Sequence, residues 1–144
     1  MAEETESTVE NPTTTEPVAE IPVFSSASIL DSVKKDLGIE VQYTHFDPDV
    51  IMGINSAFSI LTQLGVGPSS GFSIEDRTAL WTDFIPDDNH LEFVKSYVSK
   101  KTKQLFDPPQ TGPLASALDQ VLKELEWRIN VAVETKNGGT NNGI

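Results

Sequence analysis

Apolar residues along the chain recur at three- and four-residue spacings in four stretches, separated by intervals rich in Gly, Pro, Asp and Ser. This is the period of amphipathic helices. In SSASILDSVKKDLG a serine can cap the start, Ile29, Val33 and Leu37 share one face, and Gly38 suits a left-handed C-terminal position. The pattern predicts a short, peripheral first helix. A second begins with Asp47 as N-cap and Pro48 in the first helical position, and runs to Leu64 before Gly65. Its seam is Val50, Ile54, Ala57, Leu61 and Leu64, widened by Ile51 and Phe58, with Met52 and Ile60 outside it. In SIEDRTALWTDFIPDD, the residues Leu80, Trp81, Phe84 and Ile85 suggest one or two helical turns closed by Pro86. The third long helix starts at Asp88 or Asn89 and ends near Phe106, with Leu91, Val94, Val98 and Leu105 on a stripe widened by Phe93 and Tyr97. Asp107-Pro108-Pro109 cannot stay helical, so the chain reverses into a fourth helix from about Pro113 to Val133. There Leu114, Leu118, Val121, Leu122, Leu125 and Ile129 form a continuous stripe expected to face the core. The fold class predicted is all-α, a small four-helix bundle-like subunit.

The glycines of QLGVGPSSGF, Gln63 to Phe72, invite comparison with a phosphate-binding loop. A P-loop needs a lysine and a following Ser/Thr, and a Rossmann loop follows a strand; here no lysine lies between Lys35 and Lys95, and a helix precedes. Gly65 instead terminates the second helix, Gly67-Pro68 and Ser69 to Gly71 turn the chain, and Phe72 and Ile74 return it to the core.

Two features exceed what a self-contained bundle needs. From Val50 to Ile74 there is no charged residue, although a surface helix normally carries charge on its solvent side. Either this is a central helix wrapped by its own chain, or its outer side, with Met52 and Ile60, meets another subunit. Trp127 falls on the far side of the last helix from the leucine stripe, among Gln120, Lys123 and Val131. A tryptophan on a polar face is a favoured interface anchor, though it can also cover a loop or a lysine stem.

Charge changes the picture at the ends. The 144 residues carry a net charge of −12, and residues 1–22 hold six glutamates and no basic residue, leaving the rest near −6. Residues 1–25 are therefore expected to be an acidic Thr/Pro/Glu-rich flexible extension, 26–134 the helical domain, and 135–144 a Gly/Asn-rich tail. Such acidity disfavours nucleic acid or an anionic membrane as a partner. Absence of cysteine removes disulfides and thiol chemistry. No stretch has the character of a signal peptide or a membrane span, so the chain is expected to be soluble and unexported.

No catalytic constellation is evident, and no catalytic residue, cofactor or metal is expected. His45 and His90 lie in different segments, and Asp83, Asp87, Asp88 and Asn89 lack the alternation and central glycine of a calcium loop. Lys95, Lys100, Lys101 and Lys103 make the one basic cluster, expected to be a solvated face or a surface toward the acidic side of an identical neighbour.

The blocks YTHFDPDVIMGIN, ILTQLGVGPSSGFSI, LEFVKSYV, LFDPPQ and ELEWRIN, in this order, resemble the head-tail connector (adaptor, or head-completion) proteins of long-tailed bacteriophages. The resemblance spans about Ser28 to Val133. It implies a structural, non-enzymatic virion protein at the head-tail interface, assembled in the host cytoplasm. About twelve copies would form a ring beneath the portal protein and extend the DNA channel toward the next neck or tail-completion protein. DNA would pass without specific binding, and no membrane would be involved. The subunit or portal interface is expected to include Trp127, Lys123, Met52, Ile60, Lys95, Lys100 and Lys103. The acidic extension departs from the short N-terminus usual in such proteins. A small helical protein-binding module or regulator of phage origin is the alternative reading.

Overall fold

The computed structural model of the chain describes residues 21–86 and 91–140. Five helices occur among them: α1 (Ile29–Leu37), α2 (Asp47–Gln63), α3 (Trp81–Phe84), α4 (Leu91–Phe106) and α5 (Gly112–Thr140). The only extended pairing among the described residues is a single bridge between Ser28 and Leu80. The architecture is the all-α one expected, with α3 as the short turn around Trp81. The expected caps Asp88 and Asn89, and the acidic segment up to residue 20, lie outside the described residues.

Local signals set the limits of α1. The Ser28 hydroxyl accepts the Asp31 N–H at 3.2 Å, and Gly38, at φ 80°, ends the helix while Ile39 N–H donates to the Lys34 carbonyl at 2.8 Å. The helix is not peripheral, contrary to the expectation from its length. Ile29, Leu30 and Val33 are buried, and so are Asp31 and Lys34. Burial of those two charges is possible because each is fully engaged. Lys34 Nζ donates to the Val41 and Tyr43 carbonyls at 3.2 and 2.8 Å and pairs with Asp47 at 2.7 Å. Asp31 accepts two guanidinium N–H groups of Arg77 and the Ser25 N–H. Arg77 also donates to the Val23 carbonyl at 2.7 Å, which ties the segment before α1 to the loop before α3.

Engagement of Asp47 by Lys34 also shifts the start of α2. Asp47 is the first helical residue rather than its cap, Phe46 occupies the cap position without a side-chain bond, and Pro48 follows in the first turn. The far end is as the sequence dictates. Gly65, at φ 89°, lets Val66 N–H reach the Leu61 carbonyl at 2.9 Å and its own N–H reach the Thr62 carbonyl at 3.0 Å.

The core forms around α2, whose Val50, Ile54, Ala57, Phe58 and Leu61 are buried. α4 runs antiparallel beside it: Phe46 meets Phe106 with ring centroids 5.5 Å apart, and Gly53 lies against Thr102. The loop after α2 covers another side. Asn55 receives the Ile74 N–H at 2.8 Å and donates to the Ile74 carbonyl at 3.0 Å, and Phe58 meets Phe72 edge to face and a tilted Phe84 at centroid distances of 5.0 and 4.5 Å. From Val50 on, the charge-free part of α2 is thus largely wrapped by its own chain, leaving one exposed ridge of Met52, Ser56, Ser59 and Gln63.

α5 departs from expectation. Leu122 and Ile129 are buried and Leu118 and Leu125 half-buried, but Leu114 is 61% exposed and Val121 40%. On α4, Leu105 is 51% exposed. The stripe therefore does not face the core along its whole length. Its one extensive helix neighbour is α4, which stops at Phe106, so the first turns of α5 have no element to bury them. The opposite end runs to Thr140, past the expected end near Val133. Val133 lies beside Gly65 in the loop after α2.

Candidate assembly surfaces

Trp127 is 64% exposed on the side of α5 opposite the buried Leu122 and Ile129, as helical phase dictates. Lys123, one turn earlier, pairs with Asp119 at 3.0 Å. That ammonium, above all through its hydrogen bond, holds the Asp119 carboxyl below its ordinary range. Val131 extends the same side and is also exposed. The structure thus gathers an indole, a lysine and a valine on one outward face.

Met52 is 66% exposed on the α2 ridge, away from Trp127's helix. Ile60, expected outside the seam, is half-buried and packs against the core. The α4 lysines do not form a single basic surface. Lys95 places its ammonium 5.8 Å from the Trp81 ring centroid, Lys103 pairs with Asp107 at 3.1 Å, and Lys101 donates to Gln104 at 2.9 Å. Lys100 is half-buried.

The sequence reading missed Leu105, Leu114 and Val121 as surface. It placed them on core stripes by periodicity, and periodicity cannot say how far a neighbouring helix extends. One signal was available: Pro108 to Leu118 is, like Val50 to Ile74, a run without charge.

Between the loop after α2 and the last turns of α5 lies a cleft of about 590 Å³, lined mainly by apolar groups that include Val66, Phe84, Val94, Ile129 and Val133. Its acid, Asp83, accepts the Leu80 N–H at 2.8 Å and helps shape the start of α3. The described residues that line it include neither a nucleophile with a base nor a pair of carboxylates. His45 is exposed and meets Phe46 edge to face, centroids 5.0 Å apart. Among the described residues no group of three or more His, Asp or Glu is placed to hold a metal ion. His90 and the acids Asp87 and Asp88 lie outside those residues. Nor is any helix there long and apolar enough to cross a membrane.

The prominent features of the described residues are the exposed faces of α2 and α5. A family model described as phage connector protein matches residues 29–136, three quarters of the chain. No curated protein and no solved structure matches it.

Proposed function

Since the chain belongs to the phage connector protein family and is a structural component of a phage virion, we propose that it forms a ring which docks beneath the portal protein and continues the DNA channel toward the tail. About twelve copies would close such a ring. The observation that carries assembly is the apolar area exposed in a single subunit: Trp127, Met52 and Leu114 are each more than half exposed, on three faces that the fold leaves bare. A monomer gains nothing from such surfaces, whereas a subunit interface does. Trp127 with Lys123, and Met52, are the contacts proposed for neighbouring subunits or portal. Lys95, Lys100 and Lys103, which do not form one basic surface, would each meet acidic groups of a neighbour separately. The net charge of −12 suits a conduit: DNA passing through it is repelled from the wall rather than held. Assembly takes place in the host cytoplasm, and the next neck or tail-completion protein binds the face away from the portal.

Sedimentation and native mass measurement of the purified full chain, alone and mixed with portal protein, test this. A closed oligomer in either setting is expected. A chain that stays monomeric in both would overturn the proposal.

A further inference from the structure

Two exposed surfaces among the described residues are built on stretches of sequence without charge. One is the outward ridge of α2, where Met52, Ser56 and Ser59 are exposed within the uncharged run from Val50 to Ile74. The other belongs to the start of α5, where Pro108 to Leu118 is uncharged and Leu114, Leu118, Val121 and Leu125 form one stripe at helical spacing. Leu114 and Val121 are its most exposed members. We propose that the α5 stripe of one subunit packs on the α2 ridge of the next copy of the chain, a head-to-tail contact repeated around the ring. This rests on the ring proposed above.

The occupant follows from charge and shape. Two copies of a chain at −12 repel each other wherever their charged surfaces face, so close contact is least costly where charge is missing. The α2 ridge and the first turns of α5 around Leu114 meet that condition, the Glu124–Arg128 pair bordering the stripe only from Val121 onward, and the two surfaces differ in relief. The α5 stripe projects branched side chains, while the α2 ridge offers two serines beside one flexible methionine, low enough for another helix to approach. Each has what the other lacks, which favours a heterologous contact over a like-with-like one. At Ser56 burial gives up little, because its hydroxyl already donates to the Met52 carbonyl at 3.0 Å and covering it strands no donor. A rotation that closes then yields a ring.

A head-to-tail contact has a signature that a symmetric one lacks. The full chain is made as two variants, Leu114→Glu with Val121→Glu, and Met52→Glu with Ser59→Glu, each altering exposed residues. Alone, each should self-associate about thirtyfold or more weakly than wild type, with an unchanged melting temperature. Mixed in equal amounts they should form one-to-one pairs that grow no further, because each supplies the face the other has lost. Should a charged variant melt lower, Leu114→Ser and Met52→Ser carry the same test. Normal assembly by either variant, or a mixture no more associated than its parts, would overturn the contact. So would an α5 variant that assembles normally but no longer joins portal protein, since portal would then be the occupant. A wild type that is monomeric alone and on portal sinks the ring itself, which separates that failure from this one.

Discussion

At Gly67, with φ 81°, an added Cβ would run into the Phe84 ring, while at Gly65, with φ 89°, the nearest atom is a Val133 methyl at 3.3 Å. Both positions require a left-handed backbone, and only the first also needs an empty space. Gly65→Ala should therefore cost about 1 kcal/mol or somewhat more, and Gly67→Ala clearly more than that, with denaturant melts giving the order. Trp127 makes the opposite case. Since its indole is already mostly in water, Trp127→Ala should leave monomer stability within about 1 kcal/mol of wild type. A loss of several kcal/mol in a thermal melt would make it a core residue. Tyr97 is buried, and its hydroxyl donates to Glu126 at 2.7 Å. Burial first, then that hydrogen bond and the carboxylate's charge, raises its ionisation above the ordinary tyrosine value. The sign of the effect on stability follows: a raised acid contributes fully below the unfolded value, near 10, and the contribution is lost as pH rises through the folded one. Stability should fall in alkali above about pH 10, and Tyr97→Phe should flatten that limb, as melts across the range would show.

Among the elements, the segment before α1 has the most specific consequence. Arg77 holds the Val23 carbonyl, Asp31 accepts the Ser25 N–H, and Trp81 N–H donates to the Ala27 carbonyl at 3.1 Å. A chain starting at Ile21 should melt like the full one, because these bonds remain. A chain starting at Ser28 should lose about 2 kcal/mol or more, given three hydrogen bonds at roughly 1 kcal/mol each. Equal melting of the two truncations would contradict the clamp. The four main helices and the turn at Trp81 could be read from sequence because period, proline and glycine are local signals. Gly65 and Gly38 end their helices where the residue type demands, and Trp127 points outward as its phase requires. The buried Lys34 and Asp31 could not be foreseen, since their partners Asp47 and Arg77 reach them by tertiary folding. Nor could the exposure of Leu114, because the stripe is set by α5 itself while its cover depends on where α4 stops. The candidate surface was legible in part for the same reason: phase identified Trp127 and Met52, but Ile60 turned partly inward.

For the molecule as a whole, the fold has a self-sufficient core around α2 and several apolar outer faces that it does not use. That division suits a subunit which folds alone and becomes complete only among its neighbours. The connector family gives the setting, and in the proposed ring the acidic composition would keep passing DNA from adhering. The most direct measurement is a cryo-EM map of the neck of a virion that carries this chain. The account predicts a ring of this five-helix subunit between portal and tail, with α5 of each copy against α2 of the next and a channel wide enough for duplex DNA. A neck in which the chain is absent, or is present as an isolated copy off the channel axis, would contradict it.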